Sequence, residues 1–169
     1  MKATGVVRRI DDLGRVVIPK EIRKTLRIKE GDPLEIFTDR EGQVILKKYS
    51  PIGELSEFAA GYAETLSKTT GHIACITDKD TIIAVSGGSK KEFLEKDVSE
   101  ELEQLMEDKE VYTSKENSDV AIPITKNDNK DRKYNAQVVY PILSNGDTIG
   151  TVILLSLIHI SEPTRHWAI

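Results

Sequence analysis

Cysteine, tryptophan and long apolar runs are all but missing from this chain of 169 residues, which has one cysteine, one tryptophan and three phenylalanines. A single thiol, Cys75, closes no disulfide within the chain, so packing must hold the fold, and a lone cysteine suits a reducing cytoplasm. No stretch approaches the roughly 20 apolar residues of a membrane-spanning helix, so no membrane partner is expected. The opening residues MKATGVVRR lack the apolar core of a secretion signal, which again points to the cytoplasm. Histidine is scarce, and His72 has no partner at metal-ligand spacing, so neither a metal nor another cofactor is expected. No nucleophile, base and orienting group can be assembled from the sequence, and the chain does not read as an enzyme.

Positive charge, by contrast, is abundant in one place. The chain is acidic overall, at net −4, yet residues 1–48 carry 12 Lys/Arg against 8 Asp/Glu, which leaves 12 against 20 for the rest. Within residues 1–28 the balance is 8 against 3. Cations concentrated in this way displace counterions from phosphates, so the polyanion of choice is a nucleic acid; a merely solvated face is the bland alternative.

Local pattern favours the nucleic acid. In PKEIRKTLRI, Pro19 suits the first position of a helix, and Ile22 and Leu26 share one face at i, i+4 spacing. Lys20, Lys24 and Arg27 fall on another face with Arg23 beside them. Before this helix, Thr4–Ile10 and Arg15–Ile18 read as strands around the turn Asp11-Asp12-Leu13-Gly14, so Arg8, Arg9 and Arg15 flank a turn. After it, Leu34–Thr38 and Gln43–Lys48 read as strands joined by the turn Asp39–Gly42. So small a unit buries too little apolar surface to be stable alone, and an intertwined dimer is the physical expectation. Two-fold symmetry would then match that of a duplex.

The stretches TGVVRRIDDLGRVVIPKEIRKTL and GDPLEIF resemble, over the whole of residues 1–50, the swapped-hairpin DNA-binding domain of the AbrB-like transition-state regulators of endospore-forming bacteria. The resemblance implies an interlaced, mostly β dimer that grips double-stranded DNA through Arg8, Arg9, Arg15, Arg23 and Lys24. It also implies transcription regulation, of late sporulation genes, from a nucleoid-associated location. Lys24 stands where relatives often carry Arg, which keeps the charge and loses the planar fork that grips phosphate or guanine bidentately. Long arginines on turns and a short helix make no dense base-reading face, so preference should lean on DNA shape. A related module serves as the DNA-binding half of some antitoxins, which makes protein capture a minor alternative.

Residues 51–53 form a linker, with Pro51 and Gly53 breaking regular structure. A second domain over 54–156 opens with a helix from Glu54 to Lys68, whose Leu55, Phe58, Ala59, Tyr62 and Leu66 line one stripe as core or dimer seam. Strands are expected at His72–Thr77, Thr81–Ser86 and Ala121–Thr125, a helix capped by Ser99, and a hairpin of Gln137–Ser144 with Thr148–Ser156 across Asn145-Gly146. This order is that of a helix-flanked antiparallel sheet, an α+β domain. It resembles a GAF-type sensor domain, which implies a small molecule held between sheet and helices, or an assembly role that makes the chain a homodimer or homotetramer. A metabolite sensor with incidental DNA contact is the alternative from that side.

Within the second domain, Cys75 alternates with Ile73 and reads as a small buried apolar residue. The run Ser86, Gly87, Gly88, Ser89 lacks the spacing of a phosphate loop, but its amides at a helix start make it the first place to look for a ligand. Asp78, Asp80, Asp128 and Asp131 read as turn acids. Residues 157–169 lack helical periodicity and place Pro163 in their midst. LIHISEPTR reads as translated sequencing-adapter sequence standing in place of a terminal helix, which would leave the second domain incomplete and give His159 and His166 no functional meaning.

Overall fold

The computed structural model describes residues 2–114, 121–128 and 134–157, and the chain divides into two compact units, Met1–Tyr49 and Ser50–Ile169.

In the first unit, β1 (Leu34–Thr38) and β2 (Val44–Lys48) form an antiparallel hairpin in the register Leu34 opposite Lys48 and Thr38 opposite Val44. The helix α1 (Lys20–Leu26) precedes them. Pro19 stands one position earlier than the sequence suggests, as the cap: its ψ of 147° is extended and its carbonyl accepts the Arg23 N–H at 3.0 Å. The expected strands Thr4–Ile10 and Arg15–Ile18 are not paired into a sheet. A ladder needs a neighbour, and the single chain offers these arms none beyond their own turn. Their apolar side chains stand in solvent, Val7 at 83% exposure, Leu13 at 71% and Val17 at 69%.

The second unit is built on a five-stranded antiparallel sheet in the order β4-β3-β7-β6-β5. Its strands are β3 (Ile73–Thr77), β4 (Ile82–Ser86), β5 (Tyr112–Ser114), β6 (Tyr134–Ser144) and β7 (Asp147–Leu157). The β6–β7 hairpin turns at Asn145-Gly146 with φ of 51° and 85°, the paired positive angles for which Asn-Gly is suited. Along β3 every residue is buried, because both faces of the sheet are covered. On one face α2 (Ser56–Thr70) sets Ala59 and Ala63 against Ala74, Ile76 and Ala84. On the other, α3 (Lys90–Phe93) and α4 (Glu100–Asp108) bring Phe93, Leu102 and Met106 onto Cys75, Ile82, Val139, Ile153 and Leu155. Cys75 shares that face with Ile73, as their alternation predicts. Small residues under α2 let the helix lie close, while branched ones fill the thicker layer opposite. Gly150 is a steric necessity, since a Cβ there would lie 2.0 Å from the Thr77 carbonyl oxygen.

Ser99 caps α4 as expected, its Oγ accepting the Leu102 N–H at 3.1 Å and donating to the Pro123 carbonyl. The strand expected at Ala121–Thr125 is absent from the described structure, apart from a single bridge between Val98 and Thr125. Pro123 has no N–H to offer a ladder, and side chains replace it. The Gln137 amide donates to the Ile122 carbonyl and accepts its N–H, both at 2.9 Å, and Asp128 accepts the Ile124 N–H at 3.0 Å. Asp131, His159, His166 and the tail from residue 158 lie outside the described residues.

Candidate nucleic-acid interface

The predicted contact residues Arg8, Arg9, Arg15, Arg23 and Lys24 are all exposed side chains of the first unit. Arg15 closes a turn that Asp11 organises. The Asp11 N–H donates to the Arg15 carbonyl at 3.0 Å and the Gly14 N–H to the Asp11 carbonyl at 3.1 Å. One carboxylate oxygen, Oδ1, accepts the N–H groups of Leu13 and Arg15 at 2.9 and 2.8 Å. The other, Oδ2, accepts Arg15 Nε at 2.7 Å. The Arg15 backbone N–H is the main cause, and its guanidinium the next, that hold the Asp11 carboxyl below its ordinary range, so it stays ionised through neutral pH. Gly14 takes φ of 79°, which a residue with a Cβ adopts only under strain.

The same turn occurs a second time. Asp39 Oδ1 accepts the N–H groups of Glu41 and Gln43, both at 2.9 Å, the Asp39 N–H reaches the Gln43 carbonyl at 3.2 Å, and Gly42 takes φ of 85°. The difference lies at the closing position, Arg15 in one turn and Gln43 in the other. Sequence alone marks Asp11 as a turn residue; the repeated Asp-x-x-Gly pattern, with Arg following once, is the signal that singles it out.

On α1, Lys20, Arg23 and Lys24 are exposed, and Arg23 Nε donates to the Ile18 carbonyl at 3.1 Å. Arg15 and Arg23 are thus each tied through Nε to the main body of their own segment, with the terminal nitrogens beyond the tie. Arg8 bonds to its neighbour, Nη1 donating to the Val7 carbonyl at 3.1 Å. Arg27 departs from the expected cation face. It leaves the helix as its C-cap, in the left-handed conformation at φ of 58°, and is half-buried with Nη1 enclosed. Its carbonyl accepts Lys48 Nζ at 2.8 Å, so helix end and hairpin are stitched together there. Three cations rather than four therefore line the exposed face of α1.

In the second unit the loop Ser86, Gly87, Gly88, Ser89 is packed tightly. A Cβ on Gly87 would fall 2.2 Å from Ser67 Oγ, and one on Gly88 2.9 Å from Ile73 Cγ2. The N–H groups of Glu92 and Phe93 turn back to the Ser89 carbonyl at 3.2 and 3.3 Å. Close approach to the end of α2 and the start of β3 accounts for both glycines. An apolar groove of about 420 Å³ lies on the α2 side of the sheet, lined by Leu55, Phe58, Tyr62, Leu66, Ile142 and Val152 among others. Leu55, Phe58 and Tyr62, read as core or seam, are more than half exposed there, with the two rings edge to face at 4.8 Å. Burial pushes the Cys75 thiol up to about 12, so it is a neutral core group. No group of three or more metal-ligating side chains occurs among the described residues, and no described helix is long and apolar enough to cross a membrane.

Comparison with known proteins also divides the chain in two, at residue 54. Residues 54–164 match the family described as stage V sporulation protein T C-terminal, transcription factor. Residues 7–54 match the family described as antidote-toxin recognition MazE, bacterial antitoxin. The whole chain is 52% identical over 169 residues to stage V sporulation protein T of Bacillus subtilis (strain 168), covering 100% of this chain and 93% of that one. Over 51 residues it is 63% identical to the transition state regulatory protein AbrB of the same organism, covering 30% of this chain and 52% of that one. The solution structure of the N-domain of AbrB, also 63% identical, covers 30% of this chain and 96% of its own, with a TM-score of 0.28.

Proposed function

The chain belongs to the stage V sporulation protein T family of transcription factors, and from that premise we propose that it regulates late sporulation genes by gripping double-stranded DNA through Arg8, Arg9, Arg15, Arg23 and Lys24. The carrying observation is the exposed cation set of the first unit, in which Arg15 and Arg23 are each anchored through Nε. Anchoring lowers the conformational entropy lost when a long side chain meets a phosphate or a groove edge. Each neutralised phosphate releases counterions, so affinity should fall steeply with salt.

The DNA-binding form is a dimer or tetramer. Arms 4–18 expose branched apolar side chains and backbone that pairs into no sheet, which is the surface a second copy would cover by exchanging arms. The second unit is a GAF-type domain that ties dimers together and responds to a small molecule. The antitoxin family matches residues 7–54 alone, and 63% identity to AbrB over 51 residues favours regulation over toxin capture.

The test is fluorescence anisotropy of the full chain on an AT-rich duplex across a salt series. Arg23→Ala should reduce the slope of log affinity against log salt by about one, and Arg15→Ala should weaken binding. Absence of binding at low salt would overturn the proposal.

A further inference from the structure

Resting on that DNA-binding function, we infer that Asp11 is a positioning residue that presents the Arg15 guanidinium end-on to a base edge with paired acceptors, such as that of guanine, and so sets sequence discrimination. A guanidinium has two forked edges, one through Nε and one through the two terminal nitrogens. Asp11 Oδ2 takes Nε at 2.7 Å, which commits the side edge to the protein and leaves the terminal edge for the ligand. The Arg15 side chain is 69% exposed, so that edge reaches solvent.

The carboxylate is itself fixed. Its Oδ1 is clamped by two backbone N–H groups of the same turn, so the direction in which it holds Arg15 is set by main chain rather than by a free rotamer. The Asp39 turn shows that the clamp alone suffices to build the loop, because it forms there with Gln43 in the closing position. The Oδ2 contact in the first turn is therefore surplus to folding the turn and available for function. An acidic group amid DNA-facing arginines opposes phosphate binding, which gives the contact a cost in general affinity that only orientation offsets. Bidentate contact between arginine and guanine discriminates strongly against other bases, and a fork held at the correct angle is what that geometry requires. The interface then combines one oriented reading point with the shape-dependent grip of the other cations.

The test uses the full chain, a duplex it recovers from a randomised pool, and an unselected duplex of equal length. Asp11→Asn keeps an amide oxygen for the two backbone N–H groups and replaces Oδ2 with an N–H donor that repels Nε. Affinity for the unselected duplex should rise, because a negative charge is removed, while the ratio of selected to unselected affinity falls about tenfold. Asp39→Asn should leave that ratio unchanged. In an Arg15→Ala background, Asp11→Asn should lower the ratio no further. A ratio unmoved by Asp11→Asn would make Asp11 a simple charge and overturn the inference, as would an equal fall in both affinities, which marks a phosphate clamp. A further tenfold fall without Arg15 would assign Asp11 to loop shape and overturn it too. An intact chain that binds neither duplex refutes DNA binding itself, a result distinct from binding without the predicted change in ratio.

Discussion

The two units of this chain handle apolar side chains in opposite ways. The second encloses Leu102, Ile124, Ile153 and Leu155 almost completely between its sheet and helices. The first has no buried residue on its helix and leaves Val7, Leu13, Val17 and Ile36 in solvent. One unit therefore carries its core within a single chain, whereas the other leaves its branched side chains outside any core. In the proposed dimer these exposed branched residues are the surface a second copy covers.

The strongest way to break this contrast is to attack the closed core. Leu102→Ala should cost the second unit about 3 kcal/mol, read as a lowered midpoint in chemical denaturation, because a fully buried leucine leaves a cavity. Next comes Val17→Asp, on a side chain exposed in the single chain. A monomeric first unit would barely notice a charge there, but a shared core would lose about 2 kcal/mol per buried copy, visible as dissociation in sedimentation velocity and loss of DNA binding. Sharpening the same point, the unfolding midpoint of the first unit should rise with protein concentration, since association stabilises only the folded form. At the smallest end, Cys75 should stay unreactive toward a thiol reagent near pH 8 until the second unit unfolds, because the neutral thiol is held up to about 12 and is shut away from solvent.

Features set by neighbouring residues could be read from the sequence. Asn145-Gly146 specified its hairpin, Ser99 its helix cap, and the alternation of Ile73 and Cys75 their common face. Features set by distant or external partners could not. The arms around Asp11 are strands by composition but have no ladder within one chain. Residues 121–125 have strand-like composition, yet Pro123 and the side chain of Gln137, far along the chain, dictate another conformation. Arg27 has ordinary helical spacing, but its left-handed cap removes it from the cation face. For the interface, the identity of the exposed cations followed from charge and motif, whereas the Nε ties of Arg15 and Arg23 depend on where backbone carbonyls and a carboxylate point.

The bond pair from Gln137 to Ile122 has an evolutionary consequence. At 1% exposure, this amide stands in for a whole neighbouring strand, offering a donor and an acceptor at the spacing one backbone residue would present. Glutamate would remove the donor, leucine would remove both groups, and asparagine would stop one methylene short. A lineage that lost the glutamine would have to rebuild residues 121–125 as a true strand, without the proline, before the change became tolerable. The amide thus holds that edge of the domain to the one conformation that Pro123 allows.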